Sequence, residues 1–270
     1  PYYEEIDGVK IYRTAAQLGH PNFITWTLLF NHFLEKRMAD LCKKIEYDVL
    51  HVHDWLTAPS GISFKHFLAK PMVLTVHSTE YGRSSLHSPD SYAIDSIEWW
   101  ATYEANKIIV TTDFMRREVC DHFRVPWEKV EIIPNGIDLR KFPESVDREA
   151  VRRRYGIHAN ERLVLCVGRL VPQKGVDYLI KAAPLIVQRH HNAKFVIVGD
   201  GWQKGHLEYL ARSTGHEWKI SFTGFIPDSE LAALLKSADA LVVPSIYEPF
   251  GIVAIEGMAA GVPVVATQIG

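Results

Sequence analysis

Along most of this chain, short apolar runs rich in β-branched residues alternate with longer stretches of helical spacing, and this alternation restricts the fold more than any other feature. The runs fall at 48–53, 72–77, 107–112, 130–134, 163–168, 195–199, 220–223, 240–244 and 263–267. Amphipathic segments lie between them, for example at 24–45, 91–105, 176–188 and 229–237. Leu-Val-Leu-Cys-Val at 163–167 and Phe-Val-Ile-Val at 195–198 are apolar at every position, as strands covered on both faces are. Such a series specifies an α/β chain of parallel sheets with crossover helices.

A length of 270 residues exceeds one doubly wound domain and suits two. The boundary is expected between 134 and 160. There Pro134-Asn135-Gly136 signals a turn, Pro143 follows, and a new α/β series opens at Arg162. The domains are therefore read as 1–142 and 143–270. The first shows a single segment, 9–13, ahead of its long helix, with no strand, Gly-rich loop and helix before it. The chain stops at Gln268-Ile269-Gly270, directly after a strand. Both domains read as cut short, so the chain as written is expected to be poorly soluble and not catalytically competent by itself.

Composition excludes some functions. The 30 basic and 32 acidic residues give a net charge of −2, without the concentrated positive charge of a nucleic-acid binder. No stretch approaches the ~20 apolar residues of a membrane span, and the start does not read as a signal peptide. Cys42, Cys120 and Cys166 are scattered and lack metal spacing, which predicts reduced thiols in a cytoplasmic protein. Arg152-Arg153-Arg154 reads as a solvated helix face.

The strongest local signal is Glu248-Pro249-Phe250-Gly251-Ile252-Val253-Ala254-Ile255-Glu256, between an apolar strand and a helical pattern. Ligands of doubly wound sheets bind at the carboxyl ends of strands, which places Glu248 at the mouth of a site. Gly251 opens a helix whose free N–H groups suit phosphate. Glu256, one turn further, suits a sugar or ribose diol, because ionised carboxylates accept hydrogen bonds from hydroxyls. By themselves two such glutamates are ordinary surface charge, but the context argues otherwise. Gly168-Arg169-Leu170-Val171-Pro172-Gln173-Lys174-Gly175 also joins a strand to a helix, and it puts Arg169 and Lys174 at the same sheet edge. Two cations beside a helix N-terminus suit a diphosphate, Arg as a fork and Lys as a point charge. The glycine spacing is not that of a Walker loop. Gly199-Asp200-Gly201 reads as a plain strand-to-helix turn near the nucleotide, shaping the base pocket.

In the first half, His51-Val52-His53-Asp54-Trp55 and the stretch from Thr75 to Arg83 end neighbouring strands and suggest a polar wall. His51 and His53 point the same way, but no third ligand has metal spacing. His77 reads as a hydrogen-bonding group of that wall. Trp99-Trp100 reads as core in preference to a carbohydrate platform, and His190-His191 as solvated.

Taken in order, His53-Asp54-Trp55, residues 75–83, Pro134-Asn135-Gly136-Ile137-Asp138, residues 168–175, Gly199-Asp200-Gly201, Pro244-Ser245 and residues 248–256 resemble glycosyltransferase family 4 and its glycogen- and starch-synthase relatives, over roughly 48–270. The resemblance implies a GT-B fold, two Rossmann-like doubly wound domains facing a cleft. It implies a nucleoside-diphosphate-sugar donor as substrate, a carbohydrate or other hydroxyl acceptor, and neither metal nor cofactor. Arg169 and Lys174 match the diphosphate-binding cations, Glu256 the ribose-binding glutamate, and Glu248 the one close to the donor sugar. Phe250, Gly251 and Ile252 match the segment touching sugar and phosphate, with Gly199 and Gly201 nearby. His77 and Asp54 match first-domain residues beside the transferred sugar and acceptor. The family's opening strand with its Gly-rich loop, and its final crossing helix, have no counterpart here.

The implied activity is retaining transfer of a hexosyl, most simply glucosyl, group from UDP-glucose or ADP-glucose, with a glucan as one acceptor. Arg169, Lys174 and the helix at Gly251 would neutralise the departing diphosphate, and Glu248 would orient a sugar turning oxocarbenium-like. The sequence leaves the route to retention open. A non-catalytic nucleotide-sugar-binding protein or a GT-B epimerase is the alternative on the same fold.

Overall fold

In the computed structural model, which describes residues 3–14, 19 and 22–269, the chain divides into two compact units, Pro1–Pro134 and Asn135–Gly270. Gly270, part of the terminal segment noted above, lies outside the described residues.

The first unit opens with β1 (Tyr3–Ile6) and β2 (Val9–Tyr12), an antiparallel hairpin. The sequence predicts one segment here, at 9–13. The structure adds a partner strand joined through Asp7-Gly8, both with positive φ, the two-residue turn that an Asp-Gly pair favours. Mostly exposed β1 lacks the apolar pattern that marks the other strands. Then follow α1 (Phe23–Cys42), β3 (Leu50–His53), α2 (Asp54–Leu68), β4 (Met72–Val76), α3 (Glu80–Ser84), α4 (Pro89–Glu104), β5 (Lys107–Val110), α5 (Asp113–Phe123) and β6 (Val130–Ile132). Strands β3-β4-β5-β6 form a parallel sheet in chain order. Side chains that accept the otherwise unpaired N–H groups of the first turn set the helix starts. Ser88 caps α4 with Pro89 in its first turn, and Thr112 caps α5. Leu50, Val52, Met72, Leu74, Ile108 and Val110 fill the core with Ile62, Met115 and Val119 from the helices.

Two expectations fail here. Trp99 and Trp100 are not core: they are 51% and 40% exposed, and Trp99 stacks on Tyr103. The buried face of α4 is Ser91, Ile94, Glu98, Ala101 and Thr102, so the helical period carries both tryptophans outward. In the second unit Arg152 is not solvated. Its side chain is 11% exposed, bonds Asp239 at 3.1 Å and donates to the Glu161 carbonyl, while Arg153 and Arg154 face water.

The second unit contains α6 (Arg148–Arg154), β7 (Arg162–Val167), α7 (Val176–Arg189), β8 (Ala193–Val198), α8 (Lys204–Ser213), β9 (Ile220–Gly224), α9 (Asp228–Ser237), β10 (Ala240–Val243), α10 (Ile252–Ala259) and β11 (Val264–Ala266). Its parallel sheet runs β11-β10-β7-β8-β9. Both faces are covered, as the unbroken apolar strands require. Phe195 and Ile197 pack with α7 and α8, while Val196 and Val198 pack on the opposite side with Leu234, Leu235 and Leu241. Helix α7 shows why it docks: Val176, Leu179, Ile180, Ala183 and Val187 are buried on one face, and Asp177 pairs with Lys181 on the other. All three cysteines are free thiols. No described helix is long and apolar enough to cross a membrane.

Candidate functional site

Topology locates the site before any side chain does. The chain winds outward from β7 through β8 to β9, then returns to the other side of β7 as β10. Winding therefore reverses between β7 and β10, and the loops leaving their carboxyl ends diverge to opposite faces, which opens a crevice. Those loops are residues 168–175 and 244–251, which carry the two strongest motifs.

The backbone knits them together. The Ile246 and Tyr247 N–H groups both donate to the Gln173 carbonyl, at 2.8 and 3.3 Å. Gly175 has φ +59°, and a Cβ there would stand 2.0 Å from the Pro244 carbonyl oxygen, so no other residue permits this approach. The third turn joins in the same way. Gly199, at φ +130°, presses on the Gly168 carbonyl, and Leu170 N–H donates to the Asp200 carbonyl at 2.9 Å. Gly201 continues that turn, and the Gln203 N–H beyond it reaches the Leu170 carbonyl.

On this frame Lys174 Nζ lies 2.7 Å from Glu248 Oε2, and Ser245 Oγ donates to the same oxygen at 2.9 Å. Thr267 Oγ1 in turn donates to the Ser245 carbonyl at 2.5 Å. Lys174 and Glu248, expected to act on different parts of one ligand, thus hold each other directly. Arg169 is exposed; its carbonyl accepts the Val171 N–H at 3.0 Å, and among the described residues its guanidinium has no hydrogen-bond or ion-pair partner. Gly251, at φ +80°, is the N-cap of α10, so the first N–H groups of that helix start beside Glu248, with Phe250 half-buried and Ile252 exposed at the entrance.

Glu256 lies apart from this pair. Half-buried on α10, it borders a cavity of about 20 Å³ with Lys141, Phe142, Asp228 and Leu231. Burial pushes its carboxyl above the usual range, Lys141 opposes that, and Asp228 adds to it. Lys141 and Asp228 face each other at 3.8 Å.

The first unit gathers its polar residues as the sequence indicates. His53 Nδ1 is 3.0 Å from His77 Nε2 with the rings stacked, and His51 Nε2 is 2.7 Å from Thr75 Oγ1. Burial, then the neighbouring His51 and His77, hold the His53 pKa below its ordinary value. Asp54 has φ +54°, a strained conformation that Asp tolerates better than most residues, and its carboxylate accepts the His77 N–H at 2.7 Å. Among the described residues no three His, Cys, Asp or Glu are placed to hold a metal ion.

Sequence reasoning missed several groups. Ser245 belongs to a motif it named, but the hydroxyl's task on Glu248 needs the folded loop. Lys141 and Asp228 come from segments distant in sequence. Glu98 was legible: a carboxylate at a core position of α4, four residues from both Ile94 and Thr102 on the buried face.

The family profile for Glycosyltransferase Family 4 matches residues 4–141, and that for Glycosyl transferases group 1 matches 147–270. An uncharacterized glycosyltransferase of Methanocaldococcus jannaschii is 44% identical across 100% of this chain and 70% of its own length. A glycogen synthase of Mycobacterium tuberculosis is 35% identical across 99% of this chain, which spans 65% of that enzyme. Among solved structures, sucrose-phosphate synthase from Thermosynechococcus elongatus superposes with a TM-score of 0.84 at 25% identity, over 100% of this chain and 68% of that one. The Anabaena protein HepE in complex with UDP-glucose gives 0.74 at 25% identity, over 88% of this chain and 64% of that one.

Proposed function

The chain belongs to glycosyltransferase family 4, with the GT-B pair of Rossmann-like domains, and from that premise we propose that it binds a nucleoside-diphosphate sugar in its second unit and transfers the sugar to a hydroxyl acceptor. The observation that carries this reading is the meeting of Lys174 and Glu248 at the β7/β10 crevice, beside the free N–H groups of α10. A cation, a carboxylate and a helix N-terminus at one strand edge match three parts of such a donor: diphosphate, sugar hydroxyls and the remaining phosphate charge. The likeness to a protein crystallised with UDP-glucose, and to a glycogen synthase, supports a glucosyl donor and a glucan acceptor.

In this mechanism Arg169, Lys174 and the α10 N-terminus stabilise charge as it moves onto the departing diphosphate. Preorganised stabilisation of this kind is commonly the largest catalytic contribution. Glu248 turns from Lys174 to the sugar hydroxyls and orients an anomeric carbon that becomes oxocarbenium-like. Phe250, Gly251 and Ile252 line that end of the donor, and Gly199 and Gly201 border the base. Glu256 accepts the ribose hydroxyls. His77 and Asp54 serve the acceptor side, and the product retains its anomeric configuration. Incubation of the protein with UDP-, ADP- and GDP-glucose tests the reading. Nucleotide release coupled to glucosyl transfer supports it. Binding with no turnover on any acceptor favours the non-catalytic alternative, and an altered donor sugar favours the epimerase.

Two further outcomes are expected. Glu256→Gln replaces a charged acceptor by a neutral one, so the free nucleoside diphosphate should bind about 10-fold more weakly, the scale of a charge-assisted hydrogen bond. Calorimetry without the sugar checks this, and unchanged affinity returns Glu256 to a structural role. Transfer should also survive chelation, because side-chain cations and a helix terminus meet the diphosphate charge in this reading. Activity abolished by chelator and restored by magnesium or manganese contradicts it.

A further inference from the structure

Carboxylates from three helices converge on the short segment that follows β4. Asp54 of α2 accepts the His77 N–H at 2.7 Å. Glu118 of α5 accepts the Thr79 hydroxyl at 2.6 Å. Glu98 of α4 accepts the Glu80 N–H on both oxygens, at 3.0 and 2.8 Å, and bonds Arg83 Nη2 at 3.1 Å. Arg83 carries the connection back along the chain. Its guanidinium bonds Glu80 Oε2 at 3.0 Å, donates to the Ser78 carbonyl at 3.2 Å, and contacts the Ser78 hydroxyl. Ser78 directly follows His77, so the chain of contacts runs Glu98–Arg83–Ser78 to the histidine from one side, while Asp54 holds its N–H from the other.

Glu98 is a costly residue for packing alone. Its side chain is 6% exposed among Ile94, Ala101 and Thr102. Burial pushes its carboxyl pKa up, and the Arg83 guanidinium beside it pulls the other way. A buried carboxylate is kept in such a place when its geometry serves a purpose that an apolar residue cannot serve. Here the purpose is visible in the bonds: two acceptor oxygens fix one backbone N–H and one guanidinium, and through them the turn that begins at His77.

We propose that Glu98 is a positioning residue for transfer, acting through Arg83 and Ser78 to hold His77 in its working place. The inference rests on the reading that His77 serves the acceptor side. Asp54 and Glu118 fix the same segment at other points, and the Glu98–Arg83 pair reaches Ser78, the residue after His77, through side chains.

A double-mutant cycle on the intact protein tests it, reading glucosyl transfer, nucleoside-diphosphate affinity and melting temperature together. Glu98→Gln keeps the side chain's size but leaves one acceptor oxygen, so transfer should fall about 10-fold, the scale of a small misplacement of a working group. UDP affinity should stay at its wild-type value, because the donor residues lie in the other unit, and the melting transition, lowered by the loss of a buried acceptor, should remain cooperative. His77→Ala alone should cost about 10². The double variant should be no slower than His77→Ala, since Glu98 has nothing left to position. Losses that multiply, or full transfer in Glu98→Gln, overturn the positioning role. If Glu98→Gln does not fold, Arg83→Lys takes its place in the cycle, keeping the charge and losing the fork; the same non-additivity is expected, and multiplied losses again overturn the proposal. Wild-type transfer in His77→Ala is a separate outcome. It removes the acceptor-side reading of His77 and the positioning role together, whereas loss in His77→Ala without loss in Glu98→Gln removes the positioning role alone.

Discussion

Lys174→Ala is expected to lower glucosyl transfer by about 10²–10³, with folding stability little changed, and Arg169→Ala to do the same. The two residues reach this result from different starting points. The Arg169 side chain is exposed and, among the described residues, without a hydrogen-bond or ion-pair partner, so its truncation costs the fold almost nothing. Lys174 is held by Glu248 at 2.7 Å, with the two side chains 23% and 18% exposed. Its loss leaves a carboxylate that retains the Ser245 hydroxyl and some contact with solvent, so the penalty stays near the small values of partly exposed pairs, about 1 kcal/mol. In the proposed mechanism, what disappears in both variants is charge set in advance where the leaving diphosphate gathers its own. Thermal melts and steady-state rates, taken together, separate the two effects. Wild-type turnover in either variant removes that residue from the donor site. Lost turnover with an equally lost melting transition says that the residue serves the fold.

The sequence made the second unit more legible than the first, for a physical reason. Strands covered on both faces must be apolar at every position, and 163–167 and 195–198 announce themselves in that way. The order of the strands was not legible in the sequence, since right-handed crossovers are compatible with several orders; the fold supplies it, and its reversal beside β7 brings the Arg169, Lys174 and Glu248 loops to one crevice. Hairpin β1–β2 was harder because an exposed two-stranded ribbon has no buried face to write into its sequence, although Asp7-Gly8 carried the turn. Trp99 and Trp100 were misjudged by residue type. Aromatic bulk suggests core, but the period set by Ile94, Glu98 and Ala101 assigns them outward, and period decides. The direct bond between Lys174 and Glu248 was out of reach for a different reason. It joins residues on two loops through a close approach that Gly175 permits, and neither motif read alone contains the other. Glu256 shows the limit from the opposite side. Its place in the helix was clear, yet its neighbours Lys141 and Asp228 come from distant segments whose proximity only folding creates.

Because Lys174 and Glu248 hold each other, Glu248→Gln should move two measurements in opposite directions. Before the donor arrives, the carboxylate cancels much of the charge that Lys174 would offer a diphosphate. The bound nucleotide must displace that partner, and its own negative charge must tolerate Glu248 nearby. Gln keeps the shape and can still accept the Ser245 hydroxyl, but it carries no charge. Free UDP, ADP or GDP should therefore bind more tightly to the variant, by about 3- to 10-fold, or roughly 1 kcal/mol, the scale of one partly screened charge pair. Transfer should fall about 10²–10³ all the same, because the charged acceptor that orients the sugar and stabilises its positive character is gone. The extra affinity that the sugar contributes, read as the difference between UDP-glucose and UDP in calorimetry, should shrink. Weaker binding of the bare nucleotide would show that Glu248 holds Lys174 ready and does not compete for it. Unchanged transfer would show that the sugar never relies on this carboxylate. The paired result, tighter nucleotide and slower transfer, is the signature of a carboxylate that neutralises the diphosphate cation in the empty site and moves to the sugar when the donor binds.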